Sequence, residues 1–288
     1  MNIIDTSGNI GRIFEGGAFD MNAWEAYMDK WVPGARELCT KDMQECLQAR
    51  YTWENDYLPT LNTVQASRER FEKAVASFRS VTEHLSQRIR VRFGKDLDAD
   101  VVLYLGLCNG AGWVTEVNGR TTVLLGVEKI IELDWCDTDS MNGLIVHELG
   151  HVYQEQYGRL HAETEGKAER FLWQLFTEGV AMVFEQEVIG DAGYFHQDRG
   201  GWKEWCESHE GLIRSSFYAD LDTMTRENQR YFGDWVSFEG YGDVGYYLGT
   251  RFVRFLLDKD SFDNIIGYGL EDVCAGFESF IQCPSQAR

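Results

Sequence analysis

Through residues 21–93 the apolar residues recur at the spacing of a helix, and near Asp98 that period stops. In "ASRERFEKAVASFRSVTEHLSQRIRVRF", Phe71, Val75, Phe78, Val81, Leu85 and Ile89 fall three or four apart, on one face of a 3.6-residue repeat. "MNAWEAYMDKW" and "ARELCTKDMQECLQARYTWEN" read the same way, and only three prolines stand in the whole chain to interrupt helices. From residue 99, "ADVVLYLGL" is β-branched and aromatic and reads as a strand. "GWVTEVNGRTTVLLGV" follows as two extended runs around Asn118-Gly119, the pair best suited to a two-residue type I′ turn. Helices segregated from a small sheet predict an α+β fold.

Helical spacing then returns. "DWCDTDSMNG" offers several N-cap residues for a helix that runs to Tyr157 before Gly158. A second helix, "KAERFLWQLFTEGVAMVFEQEVI", ends at Gly190, and the remainder is again mainly helical. Three regions are expected: an N-terminal helical region over 1–95, a core of sheet and two helices over 96–190, and a C-terminal helical subdomain over 191–288 that completes a cleft.

The first helix after the hairpin carries "LIVHELGHVY". His147 and His151 stand four apart, so both imidazoles project from one helix face, the spacing two ligands need to reach one zinc ion. Glu148 would then sit beside a metal-bound water. The triplet alone also arises by chance on ordinary helices, so its context decides. Leu144, Ile145 and Val152 place the helix in the core, where buried imidazoles need a reason. Gly150 inside the helix costs about 1 kcal/mol relative to alanine, and suggests close approach by another backbone.

Two histidines do not complete a zinc site. The strongest third donor is Glu178 in "FLWQLFTEGVAMVFEQ", whose helical neighbours Phe171, Leu175, Ala181 and Met182 form an apolar stripe. A carboxylate centred there is costly to bury unless paired or bound to a metal; the alternative is a glutamate at the stripe's edge reaching solvent. Gly179 and Ala181 are small where two helices would have to meet. His161, beside the charged run "AETEGKAE", reads as a solvated loop residue.

Composition bounds the rest. A formal charge of −20 argues against a nucleic-acid partner and weakly favours a basic or neutral substrate. The charge-free run over 101–115 is too short and glycine-broken to span a bilayer. The opening "MNIIDTSGNIGRIFEGG" has neither the basic nor the apolar region of a secretory signal, and seven cysteines are dispersed without a C-x-x-C pair. A cytoplasmic protein with no membrane partner is expected.

His-Glu-x-x-His on one helix with Glu on the next resembles the gluzincin metallopeptidases. More narrowly, "HELGHVYQEQY", "LFTEGVAMVFEQ" and "GYYLGTRFVRFLL" are similar to a bacterial family of predicted zinc-dependent proteases of uncharacterised function, over roughly residues 100–260. The resemblance implies a zincin-like fold with one Zn2+ per chain, held by His147, His151 and Glu178. It implies an edge strand, around residues 121–127, lining the active-site cleft and able to hold an extended peptide substrate. It implies peptide-bond hydrolysis with Glu148 as general base on zinc-bound water, and an oxyanion-stabilising donor from the C-terminal half. For that donor Tyr246 leads, followed by Tyr241 and Tyr247, with His196 and His209 behind. Helical spacing puts Tyr246 inward, in line with Gly249 and Val253, and Tyr247 outward, in line with Arg251 and Arg254.

The chain departs from the family pattern in two places. Met182 stands where an acid four residues after the third ligand often orients a histidine, with Glu185 a possible substitute. The Gly-Ala-Met-Glu-Asn exopeptidase motif is absent. Two further readings stand beside the peptidase: a non-catalytic zinc-binding regulatory or interaction protein, and a hydrolase of a non-peptide amide.

Overall fold

A computed structural model of the chain describes residues 1–49, 51–233 and 235–283. The protein is α+β, mainly helical with one small mixed sheet, and it divides into two compact units, Met1–Glu148 and Leu149–Arg288.

The first unit holds the sheet. Its strands are β1 (Asn2–Asp5), β2 (Asp100–Tyr104), β3 (Gly112–Val117) and β4 (Arg120–Gly126), in the order β1-β2-β4-β3. β1 and β4 both run parallel to β2, whereas β3 and β4 are antiparallel. Val101, Val102, Leu103, Val123, Leu124 and Leu125 are buried whichever face they point to, as parallel strands covered on both sides require. The hairpin closes at Val117↔Arg120, with Asn118 and Gly119 at φ of 53° and 75°, the two positive values of a type I′ turn. The strand over 121–127, expected at the edge, is interior. It pairs with β2 on one side and with β3 on the other, so β1 and β3 are the outer strands. β1 has no counterpart in the sequence reading: four mostly exposed residues are too few to show a period.

Around the sheet lie α1 (Ser7–Ile10), α2 (Met21–Trp31), α3 (Arg36–Ala49), α4 (Leu58–Ala66), α5 (Arg68–Thr82), α6 (Leu85–Phe93) and α7 (Val127–Glu132). The helix expected to run through residue 55 stops at Ala49; Arg50 lies outside the described residues. Beyond it Thr52 accepts the Asn55 N–H and starts a separate turn ahead of α4. The 71–89 stripe is split between α5 and α6. Thr82 turns its hydroxyl back onto the carbonyls of Phe78 and Arg79, and the chain leaves the helix at the next two residues. The stripe itself is buried from Val75 to Ile89.

At the start of α7 stands a fully buried carboxylate. Glu128 accepts the backbone N–H groups of Gly106 (3.0 Å) and Cys108 (3.1 Å). A Cβ on Gly106 or Gly126 would come within 2.6 or 3.1 Å of its oxygen, so two glycines make its room. Burial pushes its pKa from an ordinary 4.5 to about 7.

The second unit is helical: α9 (Lys167–Ile189), α10 (Trp202–Ser208), α11 (Glu210–Asp220), α12 (Val244–Leu257), α13 (Phe262–Ile265) and α14 (Leu270–Gln282). It also receives the C-terminal half of α8 (Thr138–Tyr157), a continuous helix that begins in the first unit. α9 ends at Gly190 in the left-handed conformation, as the sequence predicts. Its apolar face goes nearly all the way round, because α12 and α14 both cover it. Among the described residues no helix is long and apolar enough to cross a membrane.

Two predictions follow from these contacts. A Cβ on Gly150 would lie 2.8 Å from the Ala181 Cα, so Gly150→Ala must push backbone apart. It is expected to destabilise by about 1–3 kcal/mol despite the better helix propensity of alanine, measurable by denaturant titration. For Glu128 the folded-state pKa lies above the unfolded one. Its contribution is therefore full below about pH 4.5 and lost as pH rises to about 7, by about 3 kcal/mol. Glu128→Gln cannot ionise, so its stability relative to the parent should improve by that order across the window; a constant difference would contradict the buried ionisation.

Candidate metal centre

α8 opens at Asp137, whose carboxylate accepts the Ser140 N–H at 2.8 Å. Ile145, Val146, Leu149 and Val152 are fully buried, as the sequence predicts for a core helix. His147 is 4% exposed and Glu148 7%. His151, one turn beyond His147, is half-buried.

Gly150 brings α8 onto α9. Its α-carbon faces Ala181 at a distance where a side chain has no space, which is the close backbone approach expected of a glycine inside this helix. On its other side α9 lies backbone to backbone against α12: a Cβ on Gly179 would stand 2.2 Å from the Gly249 carbonyl oxygen. Glu178 is the neighbour of that glycine, half-buried, with its carboxylate oxygen 3.3 Å from His151 Nε2.

Hydrogen bonds of that length occur in this protein, as from the Asn55 N–H to Thr52. Two donors each about 2.0–2.1 Å from a tetrahedral zinc stand about 3.3–3.4 Å apart. The donor atoms of His147, His151 and Glu178 all lie within 4.8 Å of one another, so the three residues named from the sequence could hold a metal. Two imidazoles and one carboxylate form a donor set suited to zinc.

A second group overlaps the first: His147, Glu185 and His196, also with donor atoms within 4.8 Å of one another. Here the spacing differs. Glu185 is fully buried, and both its oxygens lie 3.0 Å from His196 Nδ1, an ordinary hydrogen-bond length. This pair is a hydrogen-bonded dyad in which the ring N–H donates to the carboxylate. Met182 stands where the family pattern would put an acid, and its sulfur meets the Gln197 amide at 3.7 Å. The buried acid of α9 is Glu185, three residues further on. The sequence named Glu185 and His196 separately and did not pair them; ten intervening residues hide the contact.

The remaining candidates are placed as follows. His161 is an exposed loop residue facing Glu155 at 3.6 Å. His209 and Tyr241 both stack on Trp205, at 4.4 and 4.2 Å between ring centres. The expected orientation of the tyrosine pair is corrected. Tyr247 is the buried one, 3% exposed, and Tyr246 is half-buried, edge-on to Phe232. Tyr247 packs on Phe195 and Trp202, and its hydroxyl donates to Glu210, which also pairs with Arg251. The charged face of α12 is thus covered by α10 and α11, which helical spacing alone does not reveal.

Gly112 falls in "GAGW", a run that spacing alone does not tie to the histidine pair. This first residue of β3 lies against Glu148, where a Cβ would come within 2.7 Å of the carboxylate oxygen.

No family model matches the sequence, and no curated protein or solved structure is significantly similar to it.

The two spacings predict an order of effects. Glu178→Ala should weaken zinc binding by more than about 100-fold, beyond the 10–100-fold typical of an outer partner, whereas Glu185→Gln should fall within that range. Zinc per chain after dialysis and competition with a chelator measure both. Equal losses would mean that the two carboxylates do not differ in role.

Proposed function

We propose that the protein is a zinc-dependent metallopeptidase of zincin-like architecture that hydrolyses peptide bonds. The observation that carries this reading is that the donor atoms of His147, His151 and Glu178 lie within 4.8 Å of one another, with Glu148 on the same helix as the two histidines. Zinc held there would act as a Lewis acid, bringing the pKa of a water to about 7 and polarising a carbonyl. Three protein donors leave a fourth position for such a ligand, the arrangement of catalytic rather than structural sites.

The chain's own residues supply the remaining steps. Glu148 takes the proton of the attacking water and returns it to the leaving amine. The Glu185–His196 dyad lines the proposed site, its donor atoms within 4.8 Å of those of His147. Tyr246, the less buried of its pair, is the proposed donor to the developing oxyanion. An extended peptide adds to the outer strand β3, whose first residue touches Glu148. A chain of net charge −20 suits a neutral or basic peptide. The buried thiols Cys39, Cys136 and Cys206 support a reducing, cytoplasmic setting. The presence of Glu148 weighs against a zinc protein without turnover, since a structural site has no use for a base.

Glu148→Gln should retain one zinc per chain and lose at least about 10³-fold in kcat on a peptide library read by mass spectrometry. Equal turnover in the variant would sink the assignment, and absence of turnover in the parent across the library would sink the peptidase reading.

A further inference from the structure

The start of β3 carries an inference that rests on the peptidase reading. An ideal Cβ on Gly112 would lie 2.7 Å from Glu148 Oε1, 2.8 Å from its Cγ and 3.0 Å from its Cδ. The glutamate therefore runs along the face of Gly112 where any other residue carries its side chain. Gly112 is not in the left-handed region, and it pairs with Leu125 in regular antiparallel register. Its backbone makes no demand for glycine; the carboxylate does.

Neither backbone can retreat. The segment over 105–111 that leads into Gly112 is tied at several points. Glu128 takes two of its N–H groups, the Asn109 side chain accepts the Leu107 N–H and donates to Asp42 and the Cys39 carbonyl, and Ala111 accepts the Gly126 N–H. On the other side, Ile145 and Val146 anchor α8 in the core. Against a methyl group at 112 the soft partner is the Glu148 side chain, which must turn from its Cγ outward.

We propose that Gly112, held in place through Glu128, is the positioning residue for Glu148: its missing side chain sets where the general base rests. A substitution there displaces the base without disturbing the fold or the metal ligands. Misplacement of a reacting group by about 1 Å can cost about 10²-fold in rate.

The test compares Gly112→Ala with the parent and with Ser86→Ala, an exposed substitution on α6. Expected for Gly112→Ala are one zinc per chain, a melting temperature within about 2 °C of the parent, and kcat lowered about 10–100-fold with KM within about twofold. In the metal-free protein the Glu148 side-chain carboxyl carbon should shift in its NMR spectrum, and Ser86→Ala should leave both readouts unmoved. Unchanged kcat with an unchanged carboxyl resonance would overturn the proposal. So would a Gly112→Ala protein that fails to fold, since the proposal requires the carboxylate and not the backbone to yield. If the parent cleaves no peptide, the peptidase reading fails, while the resonance still decides where Glu148 rests.

Discussion

Contact between helix backbones at glycine is the constraint on which the rest of the second unit depends. Gly150 faces the Ala181 backbone, and Gly179 and Gly249 face each other's carbonyl and amide atoms. Ordinary helix pairs keep axes 8–10 Å apart, with side chains filling the gap. At these glycines the backbones of neighbouring helices meet with no side chain between them. Each proposed ligand is the chain neighbour of a glycine at such a contact: His151 follows Gly150, and Glu178 precedes Gly179. A helix pair this tight also buries what it carries, so the acids of the interior must each be compensated.

Those compensations differ. Glu128 is answered by two backbone N–H groups and still has its pKa raised to about 7. Glu185, equally buried, meets an imidazole at 3.0 Å with both oxygens. Glu178 meets its histidine at 3.3 Å and keeps some exposure. Burying a carboxylate costs several kcal/mol unless something offsets it. The first two are offset at hydrogen-bond distance by groups of the protein itself. The third is half-buried and meets its histidine at 3.3 Å, within the group whose donor atoms could hold a metal.

Much of this was legible in the sequence, for reasons particular to each element. The hairpin turn was readable because Asn-Gly between apolar runs satisfies a local φ requirement that few pairs meet. The ends of α8 and α9 were readable from glycines past the last apolar residue. Glu178 stood out because a charge in the middle of a stripe breaks a period. β1 was not readable, since its pairing with β2 spans almost a hundred residues and leaves no local trace. The interior place of β4 depended on that same long-range parallel pairing. The break between α5 and α6 rests on one threonine's choice of carbonyl partner, and the burial of Tyr247 on aromatic residues from other helices. Period reports which face is apolar; it does not report how many faces are covered.

One helix therefore carries groups that answer to different neighbours. Glu148 has the first residue of a sheet strand against it, and His151 has a carboxylate from α9. On the peptidase reading this separates two requirements that a single cluster would confound. A metal held by His147, His151 and Glu178 would lie beside helix contacts too tight to tolerate a methyl group. Where the base sits is set by a strand whose side-chain space has been left vacant for it. Changes on α9 should reach the metal first and turnover only through it, and changes at the head of β3 should reach turnover alone. A site built this way can vary the strand, and with it the peptide accepted, without giving up the ion.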